Sequence, residues 1–143
     1  MSTETPVEVR ATRHFSASAE RVFDAWLDPE RAGRFLFATA DGEMVRVEID
    51  ARVGGRYSIV DRRDGQDVEH VGEYLEIDRP RRLVFTLQVP FYSEKVDRVT
   101  VEIEPANGGG CDLTLIHETA ARWADGAVEG WRGIFDSLEQ VLS

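Results

Sequence analysis

The sequence has 143 residues, of which 42% are hydrophobic and 31% are charged. These values exclude a disordered or fibrous chain and predict one domain over residues 1–143, with its core at about 7–142. The formal net charge of −10 argues against a nucleic-acid partner, because an acidic chain repels phosphate backbones. No apolar run approaches the roughly 20 residues of a membrane helix. Residues 1–9 do not resemble a signal peptide, and the single Cys111 cannot form an internal disulfide, so we expect a cytoplasmic protein.

The first 37 residues are predicted to contain one strand and two short helices. Loose alternation over residues 7–15 indicates the strand. Ser18 is a candidate N-cap for the first helix, and Asp28 with Pro29 is a candidate start for the second, which we expect to end near Phe37. The apolar face of the first helix consists of Val22, Phe23, Trp26 and Leu27.

From residue 44 onward the hydrophobic pattern changes to two-residue alternation, which is typical of strands. Asp64-Gly65 is a strong hairpin signal, and Gly72 within a strand pattern indicates a bend or a close backbone approach. In the first of these strands we expect Val45, Val47 and Ile49 to face the interior. The predicted strands are 44–49, 56–60, 68–77, 82–89, one containing Val99, Val101 and Ile103, and 111–118.

The C-terminus is predicted to form a long amphipathic helix that begins near Asp125, a candidate cap. Gly130 and Gly133 lie within one turn of this helix, which indicates a thin surface used either for tight packing or for ligand space. Strands joined by short turns, with helices at the ends, predict an α+β fold with an antiparallel sheet. The apolar positions that define the helix are Trp131, Ile134, Phe135, Leu138, Val141 and Leu142.

This order of elements and five short motifs resemble the SRPBCC (START-like) superfamily, which has the helix-grip fold of birch-pollen allergens. The branch most similar is the heat-shock protein 90 ATPase activator homologue-like branch. The resemblance implies a curved sheet of six to seven strands around a long C-terminal helix, and a cavity between them that relatives use for hydrophobic ligands. The motifs are RVFDAWLDPE at 21–30, GGRY at 54–57, GEYLEI at 72–77, PRRLVFT at 80–86 and Gly130-Trp131.

No catalytic constellation is recognisable, and we expect neither a cofactor nor a metal. His14, His70 and His117 lie far apart in the sequence, with no metal-ligand spacing. His117 shares a strand face with apolar residues, so it could bond a ligand, or it could be a buried histidine satisfied by the protein. His70 is a weaker candidate, because a bulge near Gly72 would reverse its face. The loop at 89–92 could form a lid over the cavity or a static plug.

The favoured interpretation is therefore a protein that binds a small apolar molecule. One alternative is an enzyme acting on a hydrophobic substrate in the same cavity. Another is a protein-interaction module, including a homodimer or a chaperone accessory. The chaperone role is the less expected one, because no segment of residues 1–143 resembles the additional N-terminal domain of the eukaryotic co-chaperone. The residues expected to line the cavity are Tyr57, Phe85, Leu87, Val101, Leu115, His117, Trp131 and Phe135.

Overall fold

The computed structural model describes residues 6–39 and 41–143. One strand precedes two short helices, six further strands follow, and the chain ends in a 19-residue helix. A 3₁₀ turn at Ala121–Trp123 leads into that helix. The elements are β1 Val7–Phe15, α1 Ala19–Leu27, α2 Pro29–Phe35, β2 Glu43–Ile49, β3 Arg56–Arg63, β4 Gln66–Asp78, β5 Arg82–Leu87, β6 Asp97–Pro105, β7 Cys111–Thr119 and α3 Ala124–Leu142.

The seven strands form one open, curved sheet in the order β1-β7-β6-β5-β4-β3-β2, and every neighbouring pair is antiparallel. Alternate residues of the strands face the interior, where the apolar sides of α1, α2 and α3 complete the core. The predicted α+β helix-grip architecture is confirmed. Core residues contributed by α3 are Trp131, Ile134, Phe135, Leu138 and Leu142.

Both expected caps in the N-terminal helices are confirmed. The Ser18 hydroxyl accepts a hydrogen bond from the backbone N–H of Arg21 at 3.2 Å, and the Asp28 carboxylate accepts one from Glu30 at 3.1 Å. The second helix is shorter than predicted, because it ends two residues before Phe37. Phe37 has a φ of 60° and turns its ring into the interior, where it is 6% exposed. This turn places an aromatic side chain beside the sheet.

Two local expectations are wrong. In β2, a register irregularity between Met44 and Arg46 turns Val45 outward, where it is 40% exposed, while Met44 packs against the core with the rest of the inner face. A bulge shifts alternation by one residue, which periodicity alone does not reveal. At the other end of the chain, α3 begins at Ala124 after the 3₁₀ turn, so Asp125 lies inside the helix and is not its cap.

Gly72 marks the point where β4 passes very close to β5. A Cβ at this position would collide with the backbone carbonyl oxygen of Thr86, so only glycine permits the approach. The register irregularity of β4 lies farther along, between Tyr74 and Glu76. His70 therefore remains in regular alternation, with its side chain on the inner face of the sheet.

Candidate functional site

A cavity of about 550 Å³ lies between the N-terminal half of α3 and one end of the sheet. The segment after α2 and the loop between β5 and β6 complete its walls. Phe37, Leu87, Val89 and Trp131 contribute apolar surface, and the exposed rings of Tyr92 and Trp123 also line it. Farther along α3, apolar side chains of the helix belong to the packed core. The space between the helix and the sheet is therefore open at this end and filled at the other.

The predicted lining residues divide between this cavity and the packed core. Leu87, His117 and Trp131 line the cavity. Tyr57 and Phe85 border a separate void of about 10 Å³, which is too small for a ligand. The remaining three, Val101, Leu115 and Phe135, are buried with 1%, 0% and 0% exposure and border neither space. Ligand contact by any of the eight stays a prediction.

Neither Gly130 nor Gly133 of α3 is required by tight packing. A Cβ added at Gly130 or at Gly133 would meet no atom within 4 Å. Gly130 lines the cavity together with Gly126 and Ala127, whereas Gly133 does not. Of the two readings that the sequence leaves open, space beside the helix is therefore the one that the geometry supports at Gly130.

One wall of the cavity contains a network of hydrogen bonds at the ends of β6 and β7. The Asp97 carboxylate oxygen Oδ2 lies 2.9 Å from His117 Nε2 and accepts a bond from the Thr119 hydroxyl at 2.8 Å. Trp131 Nε1–H donates to His117 Nδ1 at 3.0 Å. Because an indole N–H can only donate, Nδ1 carries the lone pair and the neutral His117 ring donates from Nε2 to Asp97.

These hydrogen bonds leave neither nitrogen of His117 free for a ligand or for proton transfer. His117 is 6% exposed, and Trp131, which holds it from α3, is 3% exposed. Tyr57, the other polar group among the predicted residues, donates its hydroxyl to the Thr86 carbonyl at 2.7 Å. Both side chains are therefore held by the protein itself. The two bonds to Asp97 use its oxygen Oδ2 and do not involve Oδ1.

The opposite wall is formed by β3 and β4, where His70 and Arg63 line the cavity. Arg63 Nε donates to Asp61 Oδ2 at 2.8 Å, and its Nη2 donates to the Phe37 carbonyl at 3.1 Å. Asp61 is 1% exposed and also accepts from the Thr39 hydroxyl. The guanidinium charge is thus balanced by a buried carboxylate within the wall.

The His70 ring is held in place on two sides. It stacks on Phe37 with ring centroids 4.3 Å apart and 6° between the planes, and Nδ1 lies 3.2 Å from the Ile59 carbonyl oxygen. Since a carbonyl oxygen only accepts, Nδ1 must carry the proton. Burial lowers the pKa of His70 from 6.5 to about 4, and the Arg63 cation acts in the same direction, so the ring is neutral at pH 7.

We expect this buried neutral ring to make folding stability depend on pH. The folded-state pKa of His70 lies below that of the unfolded chain, so the unfolded chain binds more protons between pH 6.5 and 4. Lowering the pH from 7 to 5 should therefore cost about 2 kcal/mol through this residue. Urea unfolding at the two pH values measures the loss. His70→Gln should reduce it and the exposed control His14→Gln should not; equal losses in both variants would contradict the assignment.

Six polar lining residues were not anticipated from the sequence: Thr39, Arg63, Ser93, Lys95, Asp97 and Thr119. A signal was present, because Asp97 alternates with Val99 and Val101 on one face of β6, and Thr119 follows His117 by two residues. Alternation assigns a residue to the inner face of the sheet. It does not show whether α3 covers that residue or leaves it beside an open space.

The open sheet, the long terminal helix and the cavity between them define the chain as a helix-grip protein. A family model described as activator of Hsp90 ATPase homolog 1-like protein matches residues 16–143. The chain belongs to this family, which confirms the resemblance inferred from the motifs. A comparison with curated protein sequences finds no significant match.

Solved structures share the fold of this chain. CV1439 from Chromobacterium violaceum is 26% identical with a TM-score of 0.85, and the alignment covers 94% of this chain and 95% of that one. SA2116 from Staphylococcus aureus, described as a protein of unknown function, is 22% identical with a TM-score of 0.86 and coverages of 96% and 94%. The AHSA1-like protein from Aeromonas hydrophila is 21% identical, with a TM-score of 0.82 and coverages of 95% and 92%. The latter two show the shared fold.

Among the described residues, none of the helices combines the length and the apolar character needed to cross a membrane.

Proposed function

We propose that this protein binds a small, largely apolar molecule in the cavity between α3 and the sheet. The observation that carries the proposal is the cavity itself, about 550 Å³, within the roughly 300–1,000 Å³ typical of small-molecule sites. Its composition also fits, because apolar walls are combined with a few polar groups held in place by hydrogen bonds.

Binding is favoured over catalysis by the state of the two side chains that chemistry would need. His117 bonds Asp97 and Trp131, and Tyr57 bonds the Thr86 carbonyl, so each would have to break a protein contact before it could act on a substrate. An ordered apolar pocket needs no such rearrangement. The enzyme alternative is tested by His117→Ala, because loss of turnover with retained binding in this variant would favour catalysis.

The proposal predicts saturable binding of a neutral apolar dye with one site per chain. N-phenyl-1-naphthylamine should gain fluorescence on entering the cavity, because its quantum yield rises when water is excluded. Native mass spectrometry should show a 1:1 complex and should reveal any molecule that copurifies. Non-saturable or multi-site binding, or the absence of binding by either method, would contradict a single ligand cavity.

A further inference from the structure

Resting on the proposed function, we infer that the ligand carries a hydroxyl group that donates a hydrogen bond to Nε2 of His70. The inference comes from one feature of the β3–β4 wall. His70 is 5% exposed and lines the cavity, yet Nε2 has no hydrogen-bond partner within residues 6–39 and 41–143. Nε2 is not fully enclosed by protein atoms and keeps some accessible surface, so it borders the cavity space.

The tautomer makes this nitrogen an acceptor. Nδ1 is committed as a donor to the Ile59 carbonyl, and stacking on Phe37 fixes the plane of the ring. Nε2 therefore presents a lone pair in a fixed direction. An apolar ligand that displaces water from this nitrogen would leave a buried acceptor without a partner, which costs free energy. A ligand group that donates a hydrogen bond removes this cost, whereas an apolar group placed there preserves it.

Charge selects among the groups that can donate. An ammonium group would lose its hydration at a wall where Asp61 is already neutralised by Arg63, so no net negative charge would compensate it. A carboxylate would meet the His70 lone pair, and Arg63 is already paired with the buried Asp61 and does not offer a net positive charge. A neutral hydroxyl, as in an alcohol or a phenol, satisfies His70 without either penalty.

Apolar surface beyond this point sets the rest of the ligand. From His70 the cavity continues past Phe37 and Leu87 to Trp131 and the open side of Gly130. The ligand class is therefore an apolar alcohol or phenol, with its hydroxyl at the β3–β4 wall and its hydrocarbon part under α3.

The test compares three probes that share one chain length: 1-decanol, 1-methoxydecane and decanoate at pH 8. Each is titrated against the bound dye N-phenyl-1-naphthylamine. The alcohol should bind about tenfold more tightly than the ether, which accepts but cannot donate a hydrogen bond, and more tightly than the carboxylate. His70→Phe, which keeps a ring against Phe37, should abolish the preference for the alcohol, and the exposed control His14→Phe should retain it.

The outcomes separate this inference from the proposed function. Equal binding of decanol and the ether by the native protein would overturn the hydroxyl assignment and leave the apolar cavity intact. Failure of the dye and of all three probes to bind would overturn the cavity function and the assignment with it. Should His70→Phe not fold, ¹⁵N NMR of the native protein replaces it. Decanol should then shift the His70 Nε2 resonance, and an unchanged resonance at saturation would refute the contact.

Discussion

Gly130→Phe is expected to weaken binding of N-phenyl-1-naphthylamine by roughly 10- to 100-fold, while the matched variant Gly133→Phe leaves it unchanged. A Cβ at either position meets no atom within 4 Å, so both substitutions are sterically allowed at the helix surface. Of these two glycines, Gly130 lines the cavity and Gly133 does not, and a phenyl ring at position 130 would occupy space that the ligand needs. Overfilling a site of this kind costs about 1–3 kcal/mol, which corresponds to the stated range.

The pair also controls for helix stability. Both variants replace a helical glycine with phenylalanine, so each should gain roughly 0.5 kcal/mol of helix propensity. Equal thermal stability with unequal affinity is therefore the informative result, measured by circular dichroism and by dye titration. Equal affinity of the two variants for the dye would mean that the dye does not bind in the cavity next to Gly130.

Phe135→Ala is expected to lower the free energy of unfolding by about 3–5 kcal/mol. Phe135 has no exposed surface, and its ring meets Phe15 of β1 edge to face with centroids 6.4 Å apart. The Arg13 guanidinium also lies over the Phe135 ring, 5.8 Å from its centroid. Truncation removes the anchor between α3 and β1 and leaves a void that the rigid sheet cannot close.

Urea denaturation measures this loss, with Gln140→Ala as the control on the exposed side of the same helix. The control should change stability by less than about 0.5 kcal/mol. A loss below 1 kcal/mol for Phe135→Ala would mean that the ring does not form part of the core. That outcome would support the sequence-based prediction that Phe135 lines the cavity.

The division of the eight predicted lining residues has a physical reason. Leu115 and His117 lie on the same face of β7, two residues apart, and both are buried. Leu115 lies in the packed core, whereas His117 bonds Trp131 in the N-terminal half of α3, where the cavity opens. Two-residue alternation specifies which face of the sheet a side chain occupies. Whether a position on that face is packed or borders the cavity depends on where a helix distant in sequence lies.

The histidines illustrate the same limit in electrostatic terms. The sequence marked His117 as the stronger ligand candidate and His70 as the weaker, because Gly72 could have introduced a bulge. In the folded chain His117 is occupied by Asp97 and Trp131, and His70 keeps an open acceptor. These partners come from separate strands and from α3, so hydrogen-bond occupancy is a property of the assembled fold.

Local patterns were sufficient for the element order, the Ser18 and Asp28 caps, the Asp64-Gly65 hairpin and the α+β class, and the family resemblance added the helix-grip architecture. Caps and turns depend on neighbouring residues, and amphipathic periods depend on the helix or strand in which they occur, so this information is contained in short segments. Only the tertiary structure decided that the space under α3 is open at Gly130 and filled at Phe135. The reason is that a void is the difference between the volumes of side chains that meet from distant parts of the chain.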